Sequence, residues 1–131
     1  MRYYLAFDVG TTAMKCILFD KDFNETASTS KEYSLIIDSN GMTELDAEKY
    51  YYTFCECVGE IISEGCNPKD IKSVTFTTQG ETLVCIDEHG KPLARAIVWL
   101  DSRAADEAEY IRNGIGDAEF YSKTGLWQPD G

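Results

Sequence analysis

The chain opens with two apolar runs. Tyr3-Tyr4-Leu5-Ala6-Phe7 is continuously apolar and predicts a buried strand over 3–9. Ala13-Met14-Lys15-Cys16-Ile17-Leu18-Phe19 predicts a second strand over 13–19, with DVGTT (8–12) at the tip between them. Asp20-Lys21-Asp22-Phe23-Asn24 is a polar turn with Asx chemistry. Residues 25–37, rich in Thr, Ser, Tyr and Ile, predict a third strand antiparallel to the second, broken by Asp38-Ser39-Asn40-Gly41. The rhythm then changes. Ala47, Tyr50, Tyr51, Phe54, Val58, Ile61 and Ile62 make one helical stripe, predicting a helix over 46–64. Asp46 and Thr43 compete as its N-cap, and Gly65 stops it.

Beyond the Asn67-Pro68 loop, residues 71–77 predict a strand parallel to its neighbour if the helix is a crossover. Residues 82–87 and 93–98 predict a hairpin over Glu88-His89-Gly90-Lys91, which makes His89 an exposed turn residue. Helices are predicted over 102–113 and 117–123, and the chain ends at Trp127-Gln128-Pro129-Asp130-Gly131. The whole reads as one α/β domain, a mixed sheet with its first three strands antiparallel and a crossover helix. It is not a Rossmann unit, since G-x-G-x-x-G and G-x-x-x-x-G-K-[ST] are both absent.

Composition sharpens this. The 131 residues are 44% hydrophobic, enough for a packed core. A net charge of −11 repels phosphodiester backbones, so no nucleic-acid partner is expected. A small phosphorylated ligand with Mg²⁺ remains compatible, because a local site overrides the global field. Cys16, Cys55, Cys57, Cys66 and Cys85 form no C-x-x-C, and on a helix Cys55 and Cys57 lie about 160° apart, so reduced core thiols are expected. The first residues enter a strand directly, without a signal-peptide pattern. No apolar run approaches the roughly 18–20 residues of a membrane span, so no membrane partner and a cytoplasmic location are expected.

Asp8, Gly10, Thr11 and Thr12 are the first candidate chemistry. Gly10 lets a ligand approach the main chain, and the amides and hydroxyls around it can face a phosphate. Asp8 can hold Mg²⁺ directly or through water. An ordinary hairpin turn with Asp and Gly in turn roles is the competing reading.

Longer stretches carry a resemblance. DVGTTAMKCILFD (8–20) resembles the first phosphate loop of the sugar-kinase, heat-shock-protein-70 and actin superfamily. GMTELDAEKYY (41–51) resembles the G-W-x-E-x-D-P segment of the FGGY carbohydrate kinases. TTQGETLVCIDEHGKPLARAIVWLDSRA (77–104) resembles their sugar-binding stretch, and TGL (124–126) matches a further segment.

The resemblance implies a ribonuclease-H-like (actin-like ATPase) fold and transfer of the γ-phosphoryl of MgATP to a sugar or polyol. It makes residues 1–131 the amino-terminal portion of the first FGGY kinase domain, an incomplete domain, with the catalytic base and most of the nucleotide site expected beyond Gly131. The isolated chain is then expected to be inactive, and a homodimer is a candidate assembly. Asp8, Gly10, Thr11, Thr12 and Lys15 fall in the phosphate and ATP-binding segment, with Asp8 the Mg²⁺ carboxylate. Gln79, Gly80, Glu81, Trp99, Asp101 and Arg103 fall in the substrate segment. Gly80 departs from the arginine of glycerol kinases and from the Met-His of xylulokinases, and the space it leaves favours a ketopentose or pentitol such as xylulose. Trp99 is either a wall of the sugar site or a core tryptophan. Asp101 and Arg103 either bound the pocket or form a helix N-cap and a surface ion pair, and Asp101 as the base ranks low. A ribonuclease-H-like metal-dependent nuclease and a non-catalytic module that binds sugar or a partner stand as alternatives.

Overall fold

The computed structural model describes residues 1–127. The mixed sheet expected from the sequence is present. Strands β1 (Tyr3–Val9), β2 (Ala13–Phe19), β3 (Glu25–Glu32) and β6 (Ile71–Thr78) form a four-stranded sheet in the order β3-β2-β1-β6. β2 is antiparallel to β1 and to β3, while β6 is parallel to β1. Along β1 and β2 the buried positions alternate: Leu5 and Phe7, then Met14, Cys16 and Leu18. That period of two turns one face of the sheet toward α1 (Ala47–Ser63).

The α1 helix starts where Asp46 accepts a hydrogen bond from the Glu48 amide at 3.1 Å, so Asp46 is the N-cap and Thr43 is not. It buries Thr53, Cys57 and Ile61, one turn apart, and Phe54 packs on Phe7 with ring centroids 4.9 Å apart. Glu60 pins it to β3, accepting from Thr29 Oγ1 at 2.7 Å and pairing with Lys31. It ends at Gly65, whose φ of +104° favours glycine. Cys55 is exposed and Cys57 is buried, as their helical spacing requires, and all five cysteines are free thiols. Burial pushes the Cys16 thiol up to about 12.

Three tight turns share one design. At Asp20, Asp38 and Asp87 the carboxylate accepts from the amides two and four residues on, at 2.8–2.9 Å. The fourth residue of each turn is left-handed: Phe23, Gly41 and Gly90, with φ of 61°, 83° and 78°. A Cβ at such a φ is disfavoured, and Phe23 is held by stacking on Tyr4 at 5.5 Å.

The structure differs from the sequence reading in three places. The third strand stops at Glu32, because Tyr33 turns inward and its amide donates to the Thr12 carbonyl at 2.9 Å. Beyond it, β4 (Ile36–Ile37) joins β5 (Thr43–Leu45) and β7 (Ala96–Ile97) in a second sheet. The predicted 82–98 hairpin forms isolated bridges, Leu83 to Ile97 and Ile86 to Pro92, rather than two full strands, and on its other side Ile97, with Ala96, pairs with β5. Helix α2 (Ala105–Ile115) starts after 102, because Asp101 holds the next residues in a turn; α3 (Asp117–Thr124) follows. Residues 128–131 of the predicted terminal segment lie outside the described residues. No helix among the described residues is long and apolar enough to cross a membrane.

The Phe23 turn gives a direct test. Phe23→Gly removes left-handed strain of about 1 kcal/mol and loses a stacked pair of about 0.5–1.5 kcal/mol. Urea unfolding is expected to show a stability within about 1 kcal/mol of wild type, whereas Phe23→Ala, which keeps the strain and loses the ring, is expected to be measurably less stable.

Candidate functional site

Parallel pairing sets the site. Asp8 stands opposite Thr77 and Val9 opposite Thr78, and the Gln79 amide donates to the Val9 carbonyl at 2.9 Å. The DVGTT turn and the Gln79-Gly80-Glu81 segment therefore leave the same end of the sheet side by side.

The turn is tightly made. The Gly10 amide donates to the Ala13 carbonyl at 2.9 Å, and a Cβ on Gly10 would lie 3.0 Å from that oxygen, so a side chain there crowds the turn. The Tyr33 hydroxyl donates to the Gly10 carbonyl and lies 3.3 Å from the Ala13 carbonyl. Tyr33 is buried, and burial together with the neighbouring Tyr50 and Asp8 pushes its phenol up to about 12, so it stays a donor. The Thr11 and Thr12 amides have no backbone carbonyl partner among the described residues. Asp8 is exposed, with Lys15 opposite it on β2.

The substrate segment divides. Glu81, Trp99, Asp101 and Arg103 line one open cleft of about 400 Å³, with Leu83 and Val98 at its apolar side. Glu81 has a left-handed φ of 63°, a strained backbone placed directly at the cleft. Gly80 is exposed and a Cβ on it would meet nothing within 4 Å. Trp99 is half exposed, so it is no core tryptophan, and its indole Nε1 donates to Thr11 Oγ1 at 2.9 Å. Gln79 turns away: its Nε2 donates to the Tyr50 hydroxyl at 2.9 Å, and it lines a separate depression with Val9, Tyr50 and Thr82.

Asp101 is locked. Its Oδ2 accepts from the Thr43 amide at 2.7 Å and from Arg103 Nη2 at 2.6 Å; its Oδ1 accepts from Arg103 Nε at 2.8 Å and the Arg103 amide at 3.0 Å. Arg103 Nη2 also donates to Glu44 at 2.8 Å. The Arg103 guanidinium beside it, the Thr43 amide and the Arg103 amide hold the Asp101 carboxyl well below the usual carboxylate range, against the opposing effect of burial. Asp101 is neither a helix N-cap, since α2 starts at Ala105 with no side-chain cap, nor a base with a free lone pair. His89 sits exposed on the Asp87 turn.

Among the described residues no three of His, Cys, Asp and Glu converge as a metal site. Asp8 alone therefore offers one carboxylate to Mg²⁺, and the remaining ligands would be phosphate oxygens and water, the usual way Mg²⁺ is held beside a nucleotide. Two unpaired amides, the Thr11 and Thr12 hydroxyls and a crowded glycine fit a phosphate. Sequence reasoning missed Tyr33, Tyr50, Glu44 and the Thr43 amide. Only Tyr33 left a signal, as an aromatic directly after a strand made of Ala, Ser, Thr, Lys and Glu.

Residues 3–130 match the profile of the FGGY family of carbohydrate kinases, N-terminal domain. A glycerol kinase of Desulforamulus reducens is 35% identical over 127 residues, 95% of this chain and 25% of the relative. A ligand-bound xylulose kinase from Lactobacillus acidophilus superposes with a TM-score of 0.89 at 26% identity, over 100% of this chain and 26% of that one. A glycerol kinase from Plasmodium falciparum, solved with ADP, superposes with a TM-score of 0.85 at 25% identity, over 99% of this chain and 26% of that one. The chain spans about a quarter of the length of these relatives. The β3-β2-β1-β6 sheet is that of the amino-terminal part of the actin-like ATPase fold.

The Asp101 lock predicts a pH dependence. Its carboxyl is depressed in the folded state, so the stabilisation is full above the unfolded value near about 3.9 and is lost as pH falls through the folded value. Asp101→Asn is expected to lower the thermal midpoint by several degrees at pH 7, and this gap should close progressively below about pH 4. A gap that stays constant down to pH 2, followed by circular dichroism, would show that the charge does not carry the lock.

Proposed function

This chain belongs to the FGGY family of carbohydrate kinases, and from that membership we propose that it supplies the polyol cleft and first phosphate-binding turn of an ATP-dependent sugar kinase. The observation that carries the reading is the juxtaposition of the DVGTT turn with the Glu81–Trp99 cleft at the carboxyl ends of two parallel strands. Ligands gather at such strand ends, and transfer between a phosphate and a hydroxyl needs both held side by side.

Each residue then has a task its chemistry suits. The Thr11 and Thr12 amides and hydroxyls bind phosphoryl oxygens, with Gly10 keeping the backbone close. Asp8 holds Mg²⁺, which when bound neutralises charge on the transferring phosphoryl; Lys15, opposite Asp8, adds positive charge on the same face. Glu81 accepts hydrogen bonds from sugar hydroxyls. The Trp99 ring walls the C–H face of the sugar. Arg103, held by Asp101 and Glu44, bounds the cleft and can donate into it. Gln79 acts from outside the cleft, tying the segment to Tyr50 of α1. The open space beside Gly80 favours a ketopentose or pentitol, xylulose among them, over glycerol. Asp101 is not the group that accepts the proton of the sugar hydroxyl, since both of its oxygens are engaged.

A two-ligand titration tests this. Followed by amide NMR, MgADP is expected to move the resonances of Gly10, Thr11 and Thr12, and xylulose or xylitol those of Glu81, Trp99 and Arg103. No response to either ligand, or responses at opposite ends of the sheet, would defeat the reading. With MgATP and a panel of pentoses, hexoses and polyols, the 131-residue chain alone is expected to give no sugar phosphate above background; clear turnover would require a base within it.

In a kinase that contains this chain, Asp8→Asn is expected to lower kcat by at least roughly tenfold with the sugar KM nearly unchanged. Glu81→Ala is expected to raise the sugar KM far more than the ATP KM. Steady-state kinetics with both substrates varied separates the two, and an ATP-only defect in Glu81→Ala would remove it from the polyol site.

A further inference from the structure

The hydrogen bond between Trp99 and Thr11 joins residues 88 positions apart, and it has a direction. An indole N–H can only donate, so Thr11 Oγ1 accepts. A hydroxyl has one proton and two lone pairs. With a lone pair taken by Trp99, the Thr11 proton is left to donate elsewhere, and no acceptor for it lies among the described residues. The rest of the turn has the same polarity. The Gly10 carbonyl accepts from the Tyr33 hydroxyl, the Thr12 carbonyl from the Tyr33 amide, and the Ala13 carbonyl from the Gly10 amide. These three carbonyls are engaged internally, while the Thr11 and Thr12 amides and the Thr11 hydroxyl proton remain as donors. Such a surface suits an anion.

We propose that Trp99 is a positioning residue for phosphoryl binding: by donating to Thr11 Oγ1 it fixes the Thr11 hydroxyl as a donor to a phosphoryl oxygen. The inference rests on the reading of DVGTT as a phosphate-binding turn. One indole then has two duties. Its ring walls the polyol cleft, and its N–H sets the donor state of the adjacent turn. A hydroxyl that accepts a hydrogen bond is also polarised into a better donor, so the bond strengthens the contact as well as aiming it.

Two measurements on the 131-residue chain test this. The first is indole N–H exchange with solvent. The Trp99 proton is expected to exchange more slowly than that of Trp127, which is 71% exposed, and Thr11→Val should speed Trp99 exchange without altering Trp127. The second is a double-mutant cycle on binding of inorganic tripolyphosphate, followed at the Gly10–Thr12 amides. Thr11→Val is expected to weaken binding about tenfold, the loss of one hydrogen bond to a charged group. Thr11→Ser, which keeps the hydroxyl, should restore it. Trp99→Phe is expected to weaken binding about threefold when Thr11 is present and to have no effect in the Thr11→Val background. An equal effect of Trp99→Phe in both backgrounds, or none in either, would overturn the proposal. Wild-type protein that shows no tripolyphosphate response at Gly10–Thr12 would defeat the phosphate-turn reading itself, and the role of Trp99 with it.

Discussion

The parallel pairing of β1 with β6 is the constraint on which the site depends. Parallel strands cannot be joined by a tight turn, so α1 must carry the chain back across the sheet before β6 can lie beside β1. That return brings Val9 and Thr78 level and releases both following segments at one edge. A one-residue slip would reverse the faces of β6, moving Phe76 away from Phe7 and Phe54. The apolar contacts of Phe7, Phe54 and Phe76 therefore fix the register that places Gln79 against Val9. Glu60 completes the arrangement, holding the last turns of α1 on β3 through Thr29 and Lys31.

Charge is arranged unevenly within an acidic chain. Arg103 pairs with Asp101, which lines the cleft with it, and with Glu44 of β5, and the Thr43 amide takes a further lone pair of Asp101. This network joins the second sheet to the turn before α2, which is why Trp99 is held where it can reach Thr11. The side-chain carboxylates of Asp8 and Glu81, by contrast, have no hydrogen bond or ion pair among the described residues. The carboxylates nearest the two proposed ligands are those the fold leaves open, while the more buried one is neutralised. A buried unpaired carboxylate would be costly, so Asp101 is retained only in the company of its partners.

Much of this was legible in the sequence, and what was not shares one physical cause. Periodicity determined β1, β2 and α1, because each is long enough to repeat its pattern of buried positions. Local turn chemistry determined the loops at Asp20, Asp38 and Asp87, since an Asx carboxylate needs only amides two and four residues away. The family motifs marked DVGTT and the 77–104 segment as the candidate site. The tertiary structure alone decided the rest. β5 has three residues and β7 two, too few for a period, and they exist because they pair with each other. The inward turn of Tyr33, the divergence of Gln79 from Glu81, the Asp101 lock and the Trp99 bond to Thr11 are all contacts between residues at least 20 positions apart, apart from Arg103 on its near neighbour. A sequence specifies which groups can hydrogen-bond. Which donor meets which acceptor is set only when packing has closed the distance between them.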